Sequence, residues 1–206
     1  PTSELGKKTK STPAGSVDAP ASALQFALGA GATFVAQAVA TDPKGLQNVL
    51  QRAAAHQGTA LVVILQNCVI FNDGAFEPHE DKATKIEANL VLEHGKPMRF
   101  GASGAKGIAL NEKGEPVVVD VAAHGEANLL VHDETSDNIA FLLSRLDWPA
   151  FPAPFGVLRA VERPVYETMI AQQLDAAKGS GKRASLKELM TKGRSWTVGP
   201  DGPVAG

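Results

Sequence analysis

The most apolar run in the chain is Ala60-Leu61-Val62-Val63-Ile64-Leu65, and it ends abruptly in Gln66-Asn67-Cys68-Val69-Ile70-Phe71-Asn72-Asp73-Gly74. A continuous apolar run has no solvent side, so Thr59 to Leu65 is expected to be a strand buried on both faces. Upstream, Thr33 to Ala40 mixes β-branched and aromatic residues in a short run, which predicts another strand. Between them, Thr41-Asp42-Pro43 offers a capping oxygen followed by a proline. Leu46, Val49, Leu50, Ala53 and Ala54 then recur at helical spacing to about His56, before Gly58. Strand, helix and strand with short connections make a βαβ unit, hence a parallel pair with a right-handed crossover. The loop after the second strand falls at the carboxyl end of the sheet, where open α/β folds bind ligands.

The remaining pattern is more broken. Residues 1 to 20 carry no hydrophobic period and read as loop. Pro20 and good helix formers predict a short helix over 21–30, stopped by Gly29 and Gly31. Residues 77 to 88 are charged and irregular. Leu90-Val91-Leu92 and Met98-Arg99-Phe100 flank a β-turn at 93–97, and Gly107–Leu110 and Val117–Val121 flank a second turn, so a small antiparallel element follows the α/β part. Asp137 to Leu146 reads as a helix, ended by the prolines between Trp148 and Pro154. Another helix is expected from Pro164 to about Lys178. A Gly-Ser-Gly-Lys linker and a short helix over 185–191 follow, its Ser185 and Glu188 matching a capping box. Residues 199–206 read as frayed.

Composition narrows the class. Hydrophobic residues make up 44% and charged residues 20%, a globular profile. A formal net charge of -2 argues against nucleic acid as the main partner. No apolar run approaches the roughly 20 residues of a membrane helix, and no signal segment is visible, so a cytoplasmic protein with no membrane contact is expected. One cysteine allows no intrachain disulfide. The chain starts at Pro1, and its first residues read like the middle of a protein, so a fragment or processed product is expected.

Several motifs fail on mechanism. Gly29-Ala30-Gly31 lacks the third glycine of a dinucleotide fingerprint and precedes a strand rather than a helix N-terminus. It reads better as a helix C-cap. Gly179-Ser180-Gly181-Lys182 is followed by Arg183, not by the hydroxyl a phosphate loop needs. Gly101 to Ala105 only approximates a nucleophile elbow. The histidines at 56, 79, 94, 124 and 132 have no zinc-type spacing. Asp133 and Glu134 are expected to serve as the acidic start of the following helix. Lys7, Lys8 and Lys10, interleaved with Thr9, Ser11 and Thr12, are either an anion-holding stretch or a solvated terminus. Cys68 is either a small buried hydrophobe or a reactive or ligating thiol.

Three stretches together carry a resemblance: Thr33-Phe34-Val35-Ala36 with Thr41-Asp42-Pro43, then Gln66 to Phe76, then Leu92 to Pro97 with Arg99-Phe100-Gly101. With Val131-His132-Asp133-Glu134 and Arg159 to Pro164, the chain resembles the β subunit of 2-oxoacid:ferredoxin oxidoreductases, and within it the 2-oxoglutarate type. Pyruvate and branched-chain types are the nearest competitors. A non-catalytic assembly module that docks the α subunit through its C-terminal helices is the alternative from another class.

The resemblance implies an α/β fold: the C-terminal part of a thiamine-diphosphate-binding parallel-sheet domain in residues 1–76, then an extension over 77–206 with a small antiparallel hairpin and C-terminal helices. It also implies thiamine-dependent oxidative decarboxylation of a 2-oxoacid to an acyl-CoA, with electrons passing through a 4Fe–4S cluster to ferredoxin. The implied cofactors are thiamine diphosphate, Mg²⁺ and that cluster. The implied partners are the α subunit, ferredoxin, the 2-oxoacid and coenzyme A, in a hetero-oligomer. Cys68 matches one of four cluster cysteines, and Thr2, Ser3, Thr9 and Thr12 fall in the segment that would line the diphosphate pocket. The Gly-Asp-Gly…Asn region that holds Mg²⁺ and the other three cysteines are absent from this sequence. A cluster takes four thiolates as a rule, so the chain alone is expected to be inactive.

Overall fold

A computed structural model of the chain describes residues 4–70, 72–180, 184–192 and 196–205. It forms two units, Pro1–Arg163 and Pro164–Gly206. In the first, the helix α1, Ala23–Gly29, is capped by Ser22, whose hydroxyl accepts from the Gln25 N–H. It ends as the sequence suggests: the N–H groups of Ala30 and Ala32 return to the carbonyls of Phe26 and Ala27, and Gly31 sits at φ +80°. A positive φ there costs glycine nothing. The strand β1, Phe34–Val39, follows and is buried at every position. Helix α2, Pro43–Ala55, starts where Asp42 accepts from the Gly45 N–H. It leads into β2, Ala60–Leu65, which pairs with β1 in parallel from Phe34↔Ala60 to Val39↔Leu65. The βαβ unit is therefore present as expected.

The burial of β2 is not. The sheet order is β2-β1-β7-β3, with β7 spanning Ala153–Ala160 and β3 Asn89–Val91, so β2 is its outer strand, exposed at Ala60 and Ile64 and half-buried elsewhere. Its apolar composition does not decide its burial; the strand beside it does.

Past the cysteine loop, the charged stretch holds two single helical turns, α3 (Glu77–Glu80) and α4 (Lys85–Ala88). Strand β3, Asn89–Val91, and β4, Arg99–Phe100, do not pair with each other. The turn between them forms, with the Lys96 N–H on the Glu93 carbonyl at 3.1 Å and Gly95 at φ +74°. It carries the chain from the main sheet into a second one, β4-β5-β6. There β5 (Lys106–Leu110) and β6 (Pro116–Asp120) make the expected antiparallel hairpin. The short α5 (Val121–His124) follows. Helix α6, Asp137–Leu143, is capped by Ser136, whose hydroxyl accepts from the Ile139 N–H, and it ends a turn earlier than its pattern suggests.

The largest departure is β7, Ala153–Ala160. Sequence reading leaves this segment as a proline-broken connection, yet it lies inside the sheet, antiparallel to β1 and parallel to β3. The main sheet is therefore mixed. Prolines are normally kept to edges and strand starts; here Pro152 precedes the strand and Pro154 is its second residue. A shift of register between Val35 and Ala36 accommodates the rest. One core, containing Leu28, Val35, Leu90, Met98, Leu143 and Leu158, joins α1 and α6 to one face of the sheet and reaches the hairpin. A second, with Phe34, Ala36, Val49 and Val157, lies under α2.

The second unit holds helix α7 (Tyr166–Ser180) and helix α8 (Leu186–Thr191), whose Ser185–Glu188 capping box forms with both hydrogen bonds. The last stretch is a hairpin of β8 (Trp196–Gly199) and β9 (Gly202–Ala205), not a frayed end. Gly181 to Arg183 lie outside the described residues.

Candidate functional site

The loop after β2 is closed by its own polar side chains. Asn67 donates through Nδ2 to Asp73 Oδ1 at 2.8 Å and accepts the Gly74 N–H at 3.0 Å. The Asn72 N–H returns to the Cys68 carbonyl at 2.9 Å, and Gly74 takes φ +74°. These residues are turn-formers, as their chemistry suggests. The loop presents Cys68, which is exposed, together with Val69 and Ile70, 74% and 79% exposed. Cys68 is thus no buried hydrophobe. Phe71 lies outside the described residues.

Beside this loop is a cleft of about 690 Å³ on the α1 and α6 side of the sheet. Its walls include Gln37 of β1, Val63 and Leu65 of β2, Asn72 and Phe76 past the loop, the start of α1 and residues 144–148. Three buried polar residues line it, Gln37, His79 and Ser144. Gln37 donates to the Pro154 carbonyl at 2.9 Å. His79 is oriented by Asn89: Asn89 Nδ2 donates to the His79 carbonyl, so Asn89 Oδ1 accepts from His79 Nδ1 at 2.8 Å. Asn72 Oδ1 is buried with no protein partner. Arg145 and Trp148 are also on the cleft wall, so donors and acceptors both line the cleft.

Of the predicted N-terminal positions, Thr2 and Ser3 lie outside the described residues. Thr9 and Thr12 are joined hydroxyl to hydroxyl at 2.8 Å, with Ser11 at 3.0 Å from Thr9 and the Thr12 hydroxyl on the Lys7 carbonyl. The loop around them is closed by Gly6 and Ser16 backbone bonds. Among the described residues of this loop only Glu4 lines the cleft; Cys68, Thr9 and Thr12 do not.

A second polar cluster was hidden from sequence reading. Arg52 of α2 grips Glu134 with two bonds of 2.9 and 2.6 Å, and this hydrogen bonding raises the guanidinium pKa further. Glu134 is buried at 7% exposure, so it serves this pair and not the start of α6. Asp133 instead accepts from the Thr135 hydroxyl and N–H, which lowers its pKa. His132 is 1% exposed, its Nε2–H donates to the Val157 carbonyl at 2.8 Å, and Nδ1 has no partner. Burial pushes its pKa down, so the ring is held neutral. No local signal links Arg52 to a residue 82 positions away.

Among the described residues, no group of three or more His, Cys, Asp or Glu side chains could hold a metal ion. The chain's single thiol does not fit a cluster that needs four. No helix among them is long and apolar enough to cross a membrane.

No protein-family model matches the chain. It is 41% identical over 205 residues to the 2-oxoglutarate oxidoreductase subunit KorB of Mycobacterium tuberculosis, covering 96% of this chain and 54% of the relative. Along nearly all of its length the chain is similar to KorB. The β subunit of the 2-oxoacid:ferredoxin oxidoreductase of Saccharolobus solfataricus is 37% identical over 82 residues, 40% of this chain and 27% of the relative. A solved structure, the 2-oxoglutarate:ferredoxin oxidoreductase from Magnetococcus marinus with 2-oxoglutarate, coenzyme A and succinyl-CoA bound, has the same fold at a TM-score of 0.58 and 23% identity. That match covers 92% of this chain and 50% of the solved one. The chain thus spans about half the length of KorB and of the solved subunit.

Proposed function

We propose that the chain is part of the β subunit of a cytoplasmic 2-oxoglutarate:ferredoxin oxidoreductase. In the complete enzyme, an α subunit, thiamine diphosphate and Mg²⁺ serve oxidative decarboxylation of 2-oxoglutarate to an acyl-CoA, and electrons leave for ferredoxin. The observation that carries this reading is the 41% identity to KorB across 96% of the chain, which includes the cysteine loop. An exposed thiol at the carboxyl end of β2 supports Cys68 as one thiolate of a 4Fe–4S cluster completed by cysteines outside this chain. The nearby Asn67, Asp73 and Gly74 hydrogen bonds hold the loop in one shape, which favours a ligand role because ligands set in advance cost less order on binding. Thr2, Ser3, Thr9 and Thr12 are proposed to lie along the diphosphate of the cofactor. This chain's residues alone hold neither the cluster nor the metal, so no chemical step is assigned to them.

The test uses the complete subunit assembled with its α subunit. Cys68→Ser is expected to lose most of the cluster iron and visible absorbance, and with it ferredoxin reduction driven by 2-oxoglutarate. A variant that keeps its iron and its electron transfer would remove Cys68 from the cluster. A wild-type enzyme that turns over pyruvate and not 2-oxoglutarate would reassign the substrate. The assembly-module reading draws on the exposed apolar residues of α8, Leu186, Leu189 and Met190. An α–β complex that forms normally but binds no thiamine diphosphate would favour it.

A further inference from the structure

Two places in the chain join an aspartate to a glycine: Asp73–Gly74 in the loop after β2, and Asp201–Gly202 where the β8–β9 turn enters β9. Such a pair can rearrange without an enzyme. The glycine's backbone nitrogen attacks the aspartate Cγ and gives up its proton, and one carboxyl oxygen leaves as water, closing a five-membered succinimide ring. Water then reopens the ring. Addition at Cγ restores the aspartate. Addition at the aspartate's own backbone carbonyl leaves the main chain running through Cβ and Cγ, with a free carboxylate on Cα. This product, isoaspartate, has the same mass and one more main-chain carbon. Glycine favours the ring closure because no Cβ screens its nitrogen and its backbone turns freely.

The two pairs differ in what holds them. Asp73 and Gly74 are both exposed, so water reaches them. Yet both groups that must meet are engaged by one side chain, that of the half-buried Asn67. Its Oδ1 accepts the Gly74 N–H at 3.0 Å, which carries the proton the nitrogen has to lose. Its Nδ2 donates to Asp73 Oδ1 at 2.8 Å, on the carboxyl group that has to be attacked. A side-chain amide offers an acceptor and a donor in one rigid plane, so the nitrogen and the carboxylate are held in two separate bonds. Ring closure requires both to break. The Asn72 N–H on the Cys68 carbonyl, at 2.9 Å, ties the segment at its other end. Among the described residues, no side chain bonds the Asp201 carboxylate.

We propose that Asp73–Gly74 is a site of aspartate isomerisation kept latent by Asn67, a latch that opens when the loop releases that side chain. The change is one-way for the loop. The added main-chain carbon displaces Gly74, and the new carboxylate sits on Cα of residue 73, so the pair of Asn67 bonds is not restored. The segment that presents Cys68, Val69 and Ile70 then loses its closure. The inference concerns the loop's own chemistry and does not rest on the proposed activity.

The experiment uses the complete β subunit with its α subunit, wild type and Asn67→Ala, aged for weeks at neutral pH. Isoaspartate is located by peptide mapping with electron-transfer fragmentation, which separates the two isomers of equal mass. At residue 73 it is expected to accumulate about tenfold faster in Asn67→Ala, the scale set by losing a hydrogen bond on each reacting group. The rate at residue 201, which Asn67 does not touch, is the internal clock. Equal rates at residue 73 in the two proteins would overturn the proposal. Should the variant fail to fold, the unaltered protein decides. Isomerisation at residue 73 is expected to be at least about tenfold slower in the folded assembly than in urea, since the latch must open first. A folded rate matching the urea rate means that nothing holds the pair, and the inference is wrong. Neither readout needs turnover, so failure here and failure of the proposed activity are distinguishable.

Discussion

Strands β1 and β2 have six residues each, pair in register and are almost wholly apolar, yet β1 is buried throughout and β2 is exposed at two positions. The polar residue is even in the wrong one: Gln37 sits in the buried strand, where its side chain bonds the Pro154 carbonyl. The difference lies in the flanks. β1 has β7 on its far side, with helices α1 and α2 above and below; β2 has no second strand among the described residues. Burial is a property of place in the sheet, and here it follows the neighbours of a strand rather than its composition.

The sharpest way to break this comparison is to empty each strand in turn. Phe34→Ala removes a side chain that is 1% exposed and is expected to cost about 3–5 kcal/mol. Ile64→Ala, at 43% exposure, is expected to cost about 1 kcal/mol in this chain, because half of its transfer energy is never realised. Urea unfolding of the two variants decides it. Equal losses would mean that the edge is already covered.

The next effect probes α2, which covers β1. Arg52→Leu strands the Glu134 carboxylate, whose side chain is 9% exposed, without its guanidinium. The expected cost is about 1–3 kcal/mol, below that of a fully buried pair because Arg52 reaches solvent. Adding Glu134→Leu is expected to recover part of that loss, since the penalty comes from the unpaired charge. A double-mutant cycle measures it; a double variant weaker than the single would sink the argument.

What was legible in the sequence follows the range of each interaction. Ser22, Asp42, Ser136 and Ser185 announce helix starts, because a cap involves residues two or three apart. The Asn67, Asp73 and Gly74 turn is local too, and its chemistry was readable. Strand β7 was not, since Pro152, Pro154 and Gly156 forbid it by local preference and only the neighbours β1 and β3 impose it. The same holds for the Arg52–Glu134 pair and for the neutral state of His132, which depend on elements far apart in the chain. For the candidate site, the thiol, its loop and its place at the end of a parallel strand were visible in advance; the cleft with Gln37 and His79 was not.

Gly156 tests the filled flank more gently. It takes φ +127°, and a Cβ there would lie 3.1 Å from the Leu92 Cβ and carbonyl oxygen. Gly156→Ala is expected to cost about 1–3 kcal/mol through backbone strain and that contact, lowering the melting temperature. No change would mean that β7 can shift away from residue 92, and the flank is looser than the close packing implies.

The smallest effect is a pH dependence set on the same flank, where His132 donates to Val157 of β7. His94, Asp133, Glu134 and Arg52 are the charged or titratable groups around it. Burial is the main cause of its lowered pKa, against the ordinary value of 6.5. Below 6.5 the unfolded chain takes a proton on this ring while the folded chain resists, so the unfolded state binds more protons and stability falls with falling pH. The stabilisation is complete above 6.5 and is lost as the pH drops toward the depressed folded value. The lowered carboxylates, Asp133, Glu87 and Glu188, lose theirs further down, from about their ordinary values of 3.8 for the aspartate and 4.5 for the glutamates. Unfolding free energy followed from pH 7 to pH 5 is therefore expected to fall in the wild type. In His132→Gln, whose amide can still donate to the Val157 carbonyl, the slope should be flatter. An identical slope in both proteins would show that the ring is not the group being titrated, and that the pocket between β7 and residue 132 opens to water in solution.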